Sequence, residues 1–273
     1  MKKTLVLVGL LIITMTILAF FITRASDQFY DAEAATGPGV FSIVKCKPGP
    51  VHQVDPILQP GGGESAHLHQ FFAGKGIQPK GTKTTSDDML NRGTTCPLTA
   101  ETAGYWVPVV KDKNGDVVPP QQLNVYYRGQ GDLRVFPPDF QAICGNTNSA
   151  ADAQPPCVET TGAAFGWGCN DREGYATIQQ AKPCPKRIIA HVQFKFPKSE
   201  NFPKLAIHAR YPTSAHHISS DIDDGGSGVT LHADFWNTWN QEVLKFLVEH
   251  CLEGGLDCKQ MDDTKLKELG FNG

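Results

Sequence analysis

Two short stretches carry most of the residues that could do chemistry. The first is Ser65-Ala66-His67-Leu68-His69-Gln70-Phe71-Phe72-Ala73-Gly74. In an extended strand alternate side chains share a face, so Ser65, His67 and His69 point one way and Leu68 and Gln70 the other. Two neutral imidazoles on one face supply two nitrogen ligands to a divalent ion such as zinc or copper. A third histidine or a carboxylate from another strand would complete a site with one open position. The second stretch, Leu231-His232-Ala233-Asp234-Phe235-Trp236-Asn237, repeats the geometry and puts His232 and Asp234 on one face. A carboxylate beside an imidazole can ligate, orient the ring or share acid/base work. The competing reading has Asp234 capping a helix that follows, and the histidines hydrogen-bonded in a core. His208 and Asp55 are isolated additions. The candidate metal set is therefore His67, His69, His208 and His232, with Asp55 and Asp234 as candidate general base or orienter. Ser65, Tyr126, Tyr127 and Trp236, together with Trp106, are candidates for holding a polysaccharide by stacking and hydrogen bonds, against the alternative that these rings fill the core.

The elements that must position these residues read mainly as strands. Val40 to Val44, Leu123 to Tyr127 and Ile188 to Phe194 are short, rich in β-branched and aromatic residues and bounded by turn formers. Asn114-Gly115, between Val110 and Val117, reads as a hairpin turn. With 27 glycines and 19 prolines there is little room for long helices. One helix is expected where Val243, Leu244, Leu247, Val248 and Cys251 recur at helical spacing after an Asn240 N-cap, and a shorter one from Asp263 to Leu269, stopped at Gly270. The chain therefore reads as a single mainly β, sandwich-like α+β domain with long disulfide-held loops, spanning residues 40–252, with a tail over 253–273. The segment from Cys144 to Cys184 is expected to be irregular.

Lys2 and Lys3 precede an apolar run from Leu5 to Ile22. That length lies between a cleavable signal and a membrane-spanning helix. We read residues 1–25 as a signal anchor in the membrane, with a cleaved signal peptide as the alternative, and residues 26–39 as a stalk. The positive flank puts the bulk of the chain outside the cell membrane; with cleavage the protein would be secreted. Eight cysteines, an even number with no Cys-x-x-Cys pair, fit disulfides in oxidising space. Short loops suggest Cys144–Cys157, Cys169–Cys184 and Cys251–Cys258, which leaves Cys46–Cys96. A formal charge of −3 without a basic run argues against nucleic acid as a partner. There is no Gly-x-Ser-x-Gly elbow, phosphate loop or His-Glu-x-x-His helix.

Asp55-Pro56-Ile57, Ser65-x-His67-x-His69-x-Phe71-Phe72-x-Gly74, Thr94-Thr95-Cys96, Tyr105-Trp106-Val107-Pro108, Tyr126-Tyr127, Phe136-Pro137-Pro138 and His232-Ala233-Asp234-Phe235-x-Asn237-x-Trp239 occur in that order. In this the chain resembles the DUF1996 family, an exported domain of unknown function in actinobacteria and filamentous fungi. The resemblance implies no activity. It does imply that the polar positions Asp55, Ser65, His67, His69, His208, His232 and Asp234 share a site. Two cysteines usual in the family are replaced here, within Phe196 to Asn201 and Tyr211 to His216. The function expected first is a non-catalytic binding or surface module for cell-envelope or environmental glycans; the alternative is a metal-dependent extracellular hydrolase or related carbohydrate-active enzyme using a His-rich site.

Overall fold

The computed structural model describes residues 39–145, 165–169, 172–175, 187–194, 198–215, 217–218 and 230–271, with Ile178, Cys184 and Phe196. Strands β1 (Val40–Cys46), β2 (Pro48–Val54) and β3 (Glu64–Ala73) lead into helix α1 (Ser86–Asn91). β4 (Gly104–Pro108), β5 (Val110–Lys111), β6 (Val117–Val118), β7 (Gln122–Arg128) and β8 (Gln141–Gly145) follow. Next come β9 (Phe165–Cys169), β10 (Arg172–Tyr175), β11 (Ile188–Phe194), β12 (Lys204–Tyr211), β13 (His217–Ile218) and β14 (His232–Trp236). Helix α2 (Gln241–Leu247) runs on as a π-helical turn over Val248–Glu253, and α3 (Asp263–Glu268) comes last.

The strands pair antiparallel into a six-stranded sheet, β1-β7-β12-β11-β9-β10, a five-stranded sheet, β2-β3-β4-β14-β8, and a small β13-β5-β6 sheet. The main core lies between the two large sheets. Phe41, Ile43, Val125, Tyr127, Ala190, Val192, Leu205 and Ile207 come from one, and Phe72, Tyr105, Val107, Ala233 and Phe235 from the other. The period-two rule accounts for both sets: each is every second residue of its strand, so burying it turns the intervening residues to the opposite face. Leu244, Leu247 and Val248 of α2 and its π-helical continuation pack on the same core. The expected mainly β, sandwich-like fold with a C-terminal helix is what the chain adopts.

Three details differ from the sequence reading. Asn114 and Gly115 lie in a five-residue loop between β5 and β6, not a two-residue one: the Asp112 carboxylate accepts hydrogen bonds from the backbone N–H of Asn114 and Asp116 and closes the wider turn. The expected irregular excursion from Cys144 to Cys184 contains β9 and β10, which extend the edge of the six-stranded sheet. The helix after Asn240, whose side chain accepts from the N–H of Glu242 and Val243, changes to π-helical hydrogen bonding at Val248.

Disulfides join Cys46 to Cys96, Cys169 to Cys184 and Cys251 to Cys258. Cys144 is disulfide-bonded as well; Cys157 lies outside the described residues. Such bonds fit an extracellular, oxidising setting. Among the described residues no helix is long and apolar enough to cross a membrane. The apolar run at residues 5–22 and the stalk up to residue 38 lie outside them.

Candidate metal centre

The face of the five-stranded sheet turned away from the main core is itself buried along its central strands β3, β4 and β14. Phe71 and Trp106 on that face pack with Val54, Ile77, Met89 and Trp236 in a second, smaller cluster. Helix α1 supplies Met89 to it and is held by a capping box, in which Thr85 accepts from the Asp88 N–H and the Asp88 side chain accepts from the Thr85 N–H. Gly76 lets this helix approach: a Cβ there would stand 2.3 Å from the Asp88 carbonyl carbon and the Met89 nitrogen.

On this face β3 carries Ser65, His67 and His69, and β14 carries His232 and Asp234, all buried. The two strands flank β4. His69 pairs with Pro108, and the register that pairs Asp234 with Trp106, continued by two residues, sets His232 on the other side of Pro108. The three imidazoles converge there. His67 Nε2 lies 3.0 Å, and His69 Nε2 3.2 Å, from His232 Nε2.

The backbone settles which nitrogens carry protons. His69 Nδ1 is 2.8 Å from the Val54 carbonyl oxygen and His232 Nδ1 is 3.0 Å from that of Thr230. A carbonyl only accepts, so each Nδ1 is the N–H donor, and in a neutral ring Nε2 is then an unprotonated acceptor. Two lone pairs consequently face each other at 3.2 Å, a contact that is repulsive unless a cation lies between them. Burial pushes both rings away from the imidazolium form. His69 is held well below the ordinary value of 6.5 by desolvation, with His232 and His67 adding to it. His232 is lowered to about 4, again mainly by desolvation. Backbone carbonyls that fix the tautomers of metal-binding histidines are the usual outer shell of such sites. Three nitrogens at about 2.1 Å from an ion in tetrahedral geometry would stand about 3.4 Å apart, close to the observed spacing.

Asp55 and Asp234 adjoin the triad: Asp55, His69 and Asp234 each offer a ligand atom, all within 4.8 Å of one another. Asp55 follows the end of β2 and accepts from the N–H of Ile57 and Leu58 through Oδ1, both at 3.0 Å. Desolvation raises its carboxyl, against those two hydrogen bonds. Asp234 is fully buried and neither oxygen meets a donor; desolvation, then the charge of Asp55, pushes it well above the ordinary carboxylate value. Asp234 does not cap a helix. That role belongs to Asn240, and the alternation of β14 directs Asp234 to the histidine face instead.

Other candidates are placed elsewhere. His208 lies on β12 of the six-stranded sheet, hydrogen-bonded to His191 and 5.0 Å from the Tyr126 ring between centroids, so it does not join the three-histidine group. Its position on a different sheet was not readable from an isolated motif. Tyr126, Tyr127, Trp106 and Trp236 are at most 6% exposed and present no ring face for a sugar to stack on. Tyr127 is a core residue whose hydroxyl accepts from Trp239 Nε1, and Trp236 donates to Asp139. Ser65 lies at the edge of the site, where its carbonyl accepts from Gln53 Nε2. The carbonyls of Val54 and Thr230, which orient the rings, belong to no motif and leave no sequence signal.

A family model described as a domain of unknown function (DUF1996) matches residues 55–221. No curated protein and no solved structure matches the chain.

Proposed function

The chain belongs to the DUF1996 family, a domain of unknown function, and from its site we propose that it is an extracellular metal-dependent hydrolase, with a zinc or copper ion held by His67, His69 and His232. The observation that carries this reading is the convergence of three buried imidazole Nε2 atoms within hydrogen-bond distance, with two of them fixed as lone-pair donors by backbone carbonyls. A divalent ion held by three imidazoles keeps a position for water or substrate, and supplies a polarised oxygen or a water with pKa near about 7. His69 and His232 present unprotonated nitrogen at neutral pH because burial disfavours their charged forms. Asp55 and Asp234 stand where they can take or return a proton beside that position. The glycan-binding reading drew on ring stacking as well as on the polar residues, and the rings it named are buried. Export agrees with the disulfides. We extend the proposal to a tether through residues 5–22 and to cell-envelope or environmental polysaccharide as the substrate class.

The test is elemental analysis of the purified chain after exposure to zinc or copper and gel filtration, with His67→Ala and His232→Ala alongside. The expected result is bound metal in the wild type, with affinity falling by about 100-fold or more in either variant. Hydrolysis of a polysaccharide panel should stop on chelation and return with zinc. Wild-type protein that stays folded and binds neither ion better than the double variant overturns the proposal.

A further inference from the structure

The imidazole triad does not account for the carboxylates beside it. Asp234 is fully buried with both oxygens lacking a hydrogen-bond donor, a condition rare for a buried polar group and costly for an ionised one. Asp55, 4% exposed, spends Oδ1 on the amides of Ile57 and Leu58, which fixes its carboxylate plane, while Oδ2 accepts no hydrogen bond among the described residues. These two carboxylates and His69 come within 4.8 Å of one another. A divalent cation within reach of the unpartnered Asp234 oxygens and the unbonded Asp55 Oδ2 would neutralise both carboxylates at once, where otherwise burial favours their protonation.

We propose that Asp55 and Asp234 hold a second divalent cation next to His69, so that the centre takes two ions. The inference rests on the three-imidazole reading for the first ion. The ligand chemistry separates the positions: three nitrogens favour zinc or copper, whereas two carboxylates with water completing the shell favour oxygen-preferring ions such as manganese or calcium. Because His69 belongs to both groups the two positions are adjacent, the arrangement in which paired ions, typically about 3.5–4 Å apart, clamp the attacking and leaving oxygens of a displacement.

The experiment uses the full chain in detergent micelles, stripped of metal by dialysis against chelator, then titrated calorimetrically with zinc, followed by manganese, with elemental analysis after gel filtration. The wild type is expected to hold two ions per chain. Asp55→Asn/Asp234→Asn, which keeps side-chain shape, should hold one, and His67→Ala/His232→Ala should lose the zinc position while binding manganese. Circular dichroism and the single Asp234→Asn variant check that the loss is not unfolding. A single ion in the wild type overturns the second position, and the variants then separate the two ideas. If only the histidine variant loses it, the three-imidazole reading stands alone and the carboxylates share a proton. If only the carboxylate variant loses it, the three-imidazole reading fails too. No bound ion in the wild type overturns both.

Discussion

At the residue scale the most informative atoms are backbone carbonyls and buried acids. Val54 and Thr230 each accept from an imidazole Nδ1 and thereby leave Nε2 of two histidines unprotonated, a tautomer choice that neutral histidine alone leaves open. A third buried acid, besides Asp55 and Asp234, lies in the main core. Glu101 is fully buried, accepts from the Tyr105 hydroxyl at one oxygen and has no partner at the other. Desolvation pushes its carboxyl well above the ordinary value of 4.5. The folded protein therefore binds this proton more tightly than the unfolded chain. The stabilisation is full below about pH 4.5 and is lost as pH rises through the folded-state value. In Glu101→Gln this titration is gone. Across that window the stability difference should move in the variant's favour by about 1.4 kcal/mol per pH unit. Urea unfolding of both proteins at several pH values from 4 to 8 measures it, and parallel stability curves would show that Glu101 does not take up its proton on folding.

At the element scale, strand alternation divides β3 and β14 into a core face and a site face; both are buried along β14, while on β3 the site face is buried from Ser65 to Phe71 and the core face only from Gln70 onward. The outer face is covered because glycines let α1 press against the sheet. At Gly76 an added methyl would meet backbone atoms of Asp88 and Met89, and at Gly74 the Met89 Cε at 2.4 Å as well as the Thr102 carbonyl oxygen. Gly76→Ala should push α1 outward, withdraw Met89 from Phe71 and Trp106, and cost about 1–3 kcal/mol, read as a lower thermal midpoint. An unchanged midpoint would mean that α1 yields freely and does not seal the site. The alternation that aligns Ser65, His67 and His69, and His232 with Asp234, was legible in the sequence because period two is a local property of any strand. The burial of that face was not, because it depends on α1, a separate segment, laying Met89 over Phe71 and Trp106.

At the scale of the whole molecule, the disulfide Cys46–Cys96 bridges a separation of 50 residues and Cys251–Cys258 one of 7. By chain entropy, replacing the first pair with alanines should cost about 4 kcal/mol and replacing the second about 2. Denaturant unfolding of the two double variants measures that order, and equal losses would rule out loop-closure entropy as the main term. The sequence by itself determined the class of fold, the strand faces and the helix caps at Asn240 and Gly270, because these depend on residues within a few positions of one another. It also singled out His67, His69 and His232, which the fold brings together. Only the tertiary structure decided that β14 inserts beside β4, which carries His232 across more than 160 residues to His67 and His69, and that His208 lies on the other sheet beside His191. The physical reason is that strand pairing between distant segments is chosen by which faces can be buried together, a condition on the whole chain that no local spacing records.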